Sequence, residues 1–334
     1  SVKIEKAVPE RLVTNPTVLG KLRESWKIPD QKKEKVGKLW NIRFIQYVEE
    51  GNVEAAKEGL LEELKKMGLS EGNDFHMRFA SAQGDLATLN SLFDSLDEQC
   101  DLIVALSTPT LQCALKKARG IPVIFTNVAD AVRAGAGKSN KEHLPNVTGV
   151  LTMSDFDGMV EAVKECLPDA KRIGTLFVPA EINSVIYRDA LAASAEKAGL
   201  TLESVGISSS SEIADGALSL GAKNLDAICQ ISDNTNNVGF AGIVQAARKE
   251  KIPLFAFVGK QVKSEGAVAG VTRDYEQAGR DAAQMVGRVM RGESPANIPF
   301  ELVSKTVTLV NLKNAALFGL NIPASFLKKA KRVD

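Results

Sequence analysis

The run Ser107-Thr108-Pro109 has the residue types of an anion-binding helix start. It follows residues 101–106, whose nearly continuous apolar side chains are typical of a strand buried on both faces. Ser or Thr at a helix N-cap, with Pro at the first helical position, leaves backbone N–H groups free at the positive end of the helix dipole. Such an end can hold a carboxylate or another small anion. An ordinary helix cap without a ligand is the alternative.

An acid occupies a comparable position later in the chain. Asp233 follows the apolar run at 225–230, and its carboxylate can pair with a cationic group such as an α-ammonium or can cap a helix. Asn183 and Ser184 follow another predicted strand, at 172–178. The Asn183 amide can bond a polar ligand or cap the helix that starts at Ser184.

Other polar and aromatic side chains also stand where predicted strands end. Ligands of open parallel sheets bind outside the carboxyl ends of the strands, so these side chains are candidate ligand contacts. Tyr47 and Phe257 can flank an apolar ligand group or belong to the core. The full candidate set is Tyr47, Glu49, Ser107, Thr108, Asn127, Asp130, Asn183, Ser184, Asp233, Asn234 and Phe257.

Alternating strands and helices position these residues. Strands are predicted at 42–48, 75–80, 101–106, 121–125, 172–178, 201–207, 225–230 and 252–257, with helices at 53–67, 86–96, 109–118, 184–198, 211–220 and 238–249. This alternation predicts an α/β protein with two doubly wound parallel-sheet lobes in tandem. The first crossing between lobes is expected at 145–155, a return at 268–273, a helix at 275–291, final strands within 301–311 and a helical end at 314–329. The predicted division is an extension at 1–39, one lobe at 40–152 plus 273–300, and the other at 153–272 plus 301–334.

Composition excludes several classes of function. The 334 residues carry a formal net charge of +1, which argues against nucleic-acid binding through a global basic field. Two His and four Cys, without zinc-ligand spacing, predict no metal site, and the long chain with widely spaced Cys predicts buried thiols and no disulfide framework.

Gly135-Ala-Gly-Lys-Ser139 resembles the end of a phosphate-binding loop, but Val132 occupies the position where the motif needs its first Gly. No nucleophile elbow, catalytic triad or acid–base pair is recognisable, so no enzyme is predicted.

The first 40 residues differ from the rest of the chain. They hold ten Lys or Arg and five Asp or Glu, and a short helix is predicted at 17–26. This segment is either a basic arm for a partner or membrane surface, or a solvated extension packed through Leu19, Leu22 and Trp26. Its start has no apolar signal-peptide region and no Met, which predicts either a cytoplasmic protein or a chain that begins after a removed export segment. No apolar run of membrane-spanning length occurs.

From residue 42 to residue 330 the chain resembles the bacterial ABC-transporter substrate-binding proteins of the group that includes tryptophan-binding members. The matching stretches occur in family order: Gln46-Tyr-Val-Glu49, 53–59, 82–89, 101–109, 121–126, 146–149, 167–174, 181–184, 233–235 and 251–253. The family usually has His-Pro after the first strand, where this chain has Glu50-Gly51, and Asp-Pro after the fourth, where it has Asp130-Ala131.

The resemblance implies a type I periplasmic-binding fold whose lobes are joined by hinge strands, with a small ligand held between them. We expect the ligand to be an amino acid, and specifically an aromatic amino acid. Its carboxylate would meet Ser107, Thr108 and Asn183, its ammonium would meet Asp233 with Glu49 or Asp130, and Tyr47 and Phe257 would flank its side chain.

The resemblance also implies a working partner and a location. The expected partner is an ABC permease in the membrane, the expected location is periplasmic or extracytoplasmic with a possible lipid anchor, and the expected state is a monomer without a cofactor. Two alternatives stay open: a ligand-sensing regulatory domain, or a sugar- or nucleoside-binding protein of the same fold.

Overall fold

The computed structural model describes residues 36–334. The predicted helix at 17–26 and the alternatives for the basic extension through residue 35 therefore lie outside the described residues.

Six parallel strands form the first sheet, in the order β11-β5-β4-β3-β1-β2. Their bounds are β1 Trp40–Gln46, β2 Phe75–Ser81, β3 Leu102–Leu106, β4 Val123–Val128, β5 Val147–Leu151 and β11 Glu301–Leu302. The helices of this lobe are α1 Gly51–Lys66, α2 Leu86–Asp94, α3 Thr108–Lys117 and α9 Tyr275–Met290. All five residues of β3 are buried, as its unbroken apolar run predicted.

Seven strands form the second sheet, in the order β13-β12-β10-β9-β8-β6-β7, and β12 is antiparallel to β10. Their bounds are β6 Arg172–Phe177, β7 Thr201–Gly206, β8 Ala227–Gln230, β9 Leu254–Ala256, β10 Ala269–Arg273, β12 Thr306–Val310 and β13 Lys331–Arg332. The helices are α4 Phe156–Cys166, α5 Ile182–Lys197, α6 Ile213–Gly221, α7 Asn234–Val238, α8 Phe240–Glu250, α10 Leu312–Leu317 and α11 Ala324–Lys329. The predicted architecture of two parallel-dominated lobes is confirmed.

Each sheet reverses its strand order at one place. In the first sheet β1 and β3 are neighbours: after β1 the chain continues to β2 on one side, and after β3 it continues to β4 on the other side. In the second sheet β6 and β8 are neighbours in the same way, with β7 on one side and β9 on the other. The loops after such a pair separate and leave a crevice, which is where open α/β sheets bind ligands. The segments after these four strands are 47–50, 107, 178–181 and 231–233.

Three crossing segments join the lobes, and Arg273 at the end of β10 contacts the other two. Its Nε donates to the Met153 carbonyl over 2.7 Å, and its guanidinium also bonds the Thr306 hydroxyl. Beside it, Lys305 Nζ donates to Asp274 over 2.6 Å. These bonds tie the hinge strands together at the base of the cleft.

Several predicted elements differ from the structure. The crossing expected at 145–155 contains strand β5, because residues 147–151 are all buried and extend the first sheet. The helix expected at 238–249 is present as α8, but a short helix that was not predicted, α7, precedes it, and the two meet at Gly239, where a Cβ would lie 2.1 Å from Ile213 Cδ1. Residues 301–302, expected in the second lobe, pair with β5 in the first sheet. The lobe boundaries as a whole stay a prediction.

Candidate functional site

Three cavities lie between the lobes, where the two crevices face each other. A central cavity of about 20 Å³ is flanked by a large cavity of about 570 Å³ on one side and by a cavity of about 180 Å³ on the other. Asn234 borders both the central and the large cavity, while Glu50 and Asn237 border both the central and the third. The three therefore form a continuous row through the cleft.

The first lobe contributes hydrogen-bond donors to this row. Ser107 and Asn127 line the central cavity, and both have positive φ angles, 88° and 56°, which are costly for residues with a side chain. The Ser107 hydroxyl bonds Thr110 Oγ1 and caps no backbone N–H of α3 within residues 36–334. Nearby, the Thr108 hydroxyl and Asn127 Nδ2 are buried without a hydrogen-bond partner among the described residues. The start of α3 thus lies at the cleft, and its binding of an anion stays a prediction.

The second lobe contributes acceptors. Asp233 is 1% exposed and caps α7 by accepting from the Asn236 backbone N–H over 2.7 Å, while its other oxygen accepts from Ser184 Oγ over 2.7 Å. Asn183 Nδ2 donates weakly to Glu181 over 3.4 Å, and its Oδ1 is buried without a partner in the part of the chain described. Asp233 is therefore a helix cap, one of the two alternatives, and it also lines the central cavity. Its pairing with a cationic ligand group, the other alternative, stays a prediction, for which the carboxylate keeps a lone pair.

A second acid lies beside Asp233. Glu181 accepts from the Asn234 side chain over 2.8 Å and from the Thr235 hydroxyl. Burial, and then the neighbouring Glu181 charge, raise the pKa of Asp233 to about 7. A buried acid held in this way is stabilised by a cationic partner.

The large cavity offers mostly apolar walls near the centre of the cleft. Tyr47, Leu89 and Pro109 line it from the first lobe, and Val178 and Ile182 line it from the second. The Tyr47 hydroxyl donates to the Gly84 carbonyl over 2.6 Å, which holds the ring at the wall. Tyr47 is thus placed where the sequence predicted.

Sequence reasoning missed Glu50, Tyr187 and Tyr275, which also line the central cavity. Glu50 was noted only as a departure from the family pattern; its carboxylate caps α1, and burial raises its pKa to about 7. Tyr187 lies one turn inside α5, and burial raises the pKa of its hydroxyl well above the usual value. The strand-end rule found Ser107, Asn127, Asn183, Asp233 and Asn234. It missed the two tyrosines because Tyr187 reaches the cavity through the rotation of α5 and Tyr275 follows the return crossing after β10.

Four candidate residues line none of the three cleft cavities described within residues 36–334: Thr108, Asp130, Ser184 and Phe257. Glu49 lines the third cavity and not the central one; it is exposed and accepts from Gln83 Nε2 over 2.7 Å. Asp130 accepts from the Arg133 backbone N–H over 3.0 Å and stabilises a local turn. Phe257 is 1% exposed in the core of the second lobe, with its ring 5.0 Å from that of Phe156. Phe257 therefore belongs to the core, which was the alternative to flanking a ligand, and its side chain lines none of the cleft cavities among residues 36–334.

No group of three or more His, Cys, Asp or Glu side chains within residues 36–334 is arranged to hold a metal ion. The four Cys are unpaired and buried. Burial raises the pKa of the Cys166 thiol to about 12 and also raises that of Cys229. Among the described helices, none has the length and apolarity needed to cross a bilayer.

Comparison with known proteins connects this cleft to a family. A family model described as ABC transporter substrate binding protein matches residues 41–334. A tyrosine-binding protein from Clostridioides difficile (strain R20291) is 34% identical over 283 residues, which cover 84% of this chain and 80% of that protein.

Two solved structures are similar in both sequence and fold. An ABC domain from Streptococcus pneumonia in complex with L-Trp gives a TM-score of 0.82 at 30% identity, covering 88% of this chain and 100% of that chain. A ligand-free, open structure of a substrate-binding protein with adhesive properties from Clostridium difficile gives 0.69 at 29% identity, covering 89% and 99%.

Proposed function

Because the chain belongs to the family of ABC transporter substrate-binding proteins, we propose that it binds an aromatic L-amino acid between its lobes and presents it to a membrane permease. Proteins of this class are extracytoplasmic and bind substrates. We propose further that this chain acts by binding alone, as a monomer, with a lipid anchor as one way of staying near the permease.

The observation that supports the proposal is the division of hydrogen-bonding groups between the lobes. The unpaired Thr108 hydroxyl and Asn127 Nδ2 can donate from the first lobe, and the unpaired Asn183 Oδ1 can accept from the second. The Asp233 carboxylate, also of the second lobe, already accepts from Ser184 and Asn236 but carries a buried negative charge that no cation pairs among the described residues. Buried polar groups without partners are costly, so a ligand that pairs them all stabilises the closed cleft. An α-amino acid has the complementary groups, a carboxylate and an ammonium on one carbon.

The hydrogen-bonding character of these groups also indicates where the carboxylate and the ammonium of the ligand would bind. The carboxylate accepts from Thr108, Asn127 and the N-terminus of α3, and the ammonium donates to Asp233. Asn183 was expected to bond the carboxylate, but its unpaired atom is an acceptor, so we place it at the ammonium. Each end then makes charge-assisted bonds, which are about twice as strong as neutral ones.

The side chain of the ligand is expected to enter the large cavity. The central cavity, about 20 Å³, holds about one water molecule, so the lobes must separate to admit the amino acid and close on it afterwards. The large cavity begins at Asn234, directly beside the central one, and its volume of about 570 Å³ accommodates an aromatic ring against Tyr47 and Ile182.

Isothermal titration calorimetry with the twenty amino acids tests this function. We expect a dissociation constant near the micromolar range, about −8 kcal/mol, for at least one of L-Trp, L-Tyr and L-Phe. Tryptamine lacks the carboxylate and indole-3-propionate lacks the ammonium, so each is expected to bind at least about 100-fold more weakly than L-Trp. Absence of heat with all twenty amino acids would refute the proposal, and an affinity for either analogue equal to that for L-Trp would refute the zwitterion geometry.

The affinity is expected to depend on pH through Asp233. With a pKa of about 7, Asp233 is increasingly protonated below neutral pH, and each pH unit below 7 lowers its ionised fraction about tenfold. Pairing with an ammonium requires the ionised form, so binding releases a proton and the affinity falls as the pH falls from 8 to 5. The pKa of Glu50 is also raised to about 7 and its carboxyl lines the same cavity, so Glu50 is replaced by Gln for this measurement to leave Asp233 as the titrating acid.

In Glu50→Gln, titration calorimetry at pH 8 and pH 5 is expected to show a loss of affinity of about tenfold or more. The double variant Glu50→Gln, Asp233→Asn is the control and should be independent of pH. An affinity of Glu50→Gln that rises toward pH 5 would contradict the assignment of Asp233 to the ammonium.

A further inference from the structure

The third cavity of the cleft is lined mainly by hydrogen-bond acceptors. Its volume is about 180 Å³, and Glu49, Glu50 and Glu265 carry three carboxylates at its walls. Lys260 is the one cation that lines it among the described residues, and its Nζ lies 3.0 Å from Glu265. We refer to this space as the acidic cavity.

A second, independent observation at the acidic cavity is a buried side-chain oxygen that has no hydrogen-bond donor. Gln261 is 2% exposed, and its Nε2 donates to Asn237 Oδ1 over 3.2 Å. Its Oε1 is buried and has no hydrogen-bond partner within residues 36–334. A buried acceptor in this state costs free energy that a ligand with N–H groups would recover.

We propose that the acidic cavity binds a small organic cation carrying N–H donors, an alkylammonium or guanidinium group, between Glu50 of the first lobe and Gln261 of the second. The Glu50 carboxylate already accepts from the backbone N–H groups of Asn52 and Val53, over 2.9 and 3.2 Å, which fixes it at the start of α1. Each of its oxygens keeps a lone pair for a further donor.

The charges around Glu50 favour a cation and not an anion. Burial and the Glu265 charge raise the pKa of Glu50, while the ammonium of Lys260 acts in the opposite direction. Lys260 cannot itself fill the cavity, because it is paired with Glu265 and its side chain is 61% exposed, with its aliphatic part lying over Gly51. The site therefore has excess acceptor capacity within a partly open cavity of molecular size.

This site adjoins the one proposed for the amino acid, because Glu50 lines both cavities, but its contacts are different. The amino acid is proposed to contact Thr108, Asn127 and Asp233, whereas the cation contacts Glu50, Gln261 and Glu265. A bound cation bridges the two lobes and is expected to stabilise the closed protein whether or not an amino acid is present.

The test uses the unliganded protein at pH 8 and constant total salt concentration. Ethylammonium chloride is exchanged stepwise for tetramethylammonium chloride, which has the same charge but no N–H donor, and potassium chloride is a third arm. We expect ethylammonium to raise the midpoint of thermal unfolding by a few degrees in a saturable manner. A response equal in all three salts, or a response to potassium alone, would overturn the proposal.

Variants locate the effect. Glu50→Gln and Glu265→Gln are expected to lose the response to ethylammonium, while Glu58→Gln, an exposed position on the same helix α1, is expected to keep it. Glu265 lies at the rim, so its replacement leaves the core intact even if Glu50→Gln lowers stability. Retention of the full response in both cavity variants would place the cation elsewhere and overturn the proposal.

Discussion

Replacing Asp233 with Asn is expected to weaken binding of the preferred amino acid by at least about 100-fold. The Asp233 carboxylate is buried, and in the proposed complex it is the acidic partner of the ligand ammonium. Removing one member of a buried ion pair leaves the other unpaired and costs about 3 kcal/mol or more, which corresponds to a factor of at least about 100. Titration calorimetry with the tightest-binding amino acid at pH 8 measures this change.

The same substitution is expected to leave the protein folded. Asn keeps the oxygen that accepts from the Asn236 backbone N–H, so the cap of α7 persists. The pKa of Asp233 is higher in the folded protein than in the unfolded chain, so its ionised form opposes folding above pH 7. The free energy of unfolding of Asp233→Asn at pH 8 should therefore equal or exceed that of the wild type.

Asp215→Asn provides the matched control. Asp215 is exposed in the first turn of α6, on the same lobe, and it lines none of the three cleft cavities described within residues 36–334. Its replacement should change the affinity less than twofold. Wild-type affinity in Asp233→Asn, or an equal loss in Asp215→Asn, would contradict the role given to Asp233.

The strand-end rule explains why this acid was predictable. A buried run such as 225–230 can be recognised as a strand from composition, and the fold class fixes the edge of the sheet at which its last residues emerge. Ser107, Asn183 and Asp233 each follow such a run, and the structure brings all three to one cavity. Their mutual proximity needed no knowledge of side-chain packing.

The rule fails where the direction of one side chain decides the outcome. Phe257 follows β9 as Asp233 follows β8, but its ring points into the core against Phe156. Successive side chains of an extended segment point to opposite faces, so a shift of one residue exchanges cleft and core. The end of β9 cannot be located to one residue from the sequence, and the direction of Phe257 was therefore undetermined.

Residues that reach the cleft from distant segments of the chain also could not be predicted from the sequence. Tyr275 begins α9, which follows the return crossing, and it lines the central cavity because α9 packs against α1 of the first lobe. No local pattern marks this pairing of helices 200 residues apart. Glu181 lies in the segment after β6, but its position beside Asp233 depends on β6 and β8 being neighbours in the sheet.

Two glycines allow the close approach of α1 and α9. A Cβ on Gly59 would lie 2.0 Å from the Glu276 carbonyl oxygen, and a Cβ on Gly279 would lie 1.9 Å from that of Ala56. Both contacts are with backbone atoms, which cannot move aside as the end of a side chain can. The helices can relieve such a contact only by separating, which displaces Tyr275 from the cavity wall.

Gly279→Ala is therefore expected to lower the free energy of unfolding by about 3 kcal/mol, at the upper end of the usual cost of overpacking. This loss would occur although Ala favours helix over Gly by about 1 kcal/mol. Denaturant unfolding followed by circular dichroism measures the change.

Gly242→Ala is the control, because it lies in α8 and its Cβ would meet Ile213 Cγ2 at 3.3 Å, a side-chain atom that can yield. We expect its free energy of unfolding to lie within about 1 kcal/mol of the wild type. If Gly279→Ala were as stable as Gly242→Ala, the helices would have to be farther apart than described. The position of Tyr275 in the cleft, which depends on that packing, would then be in error as well.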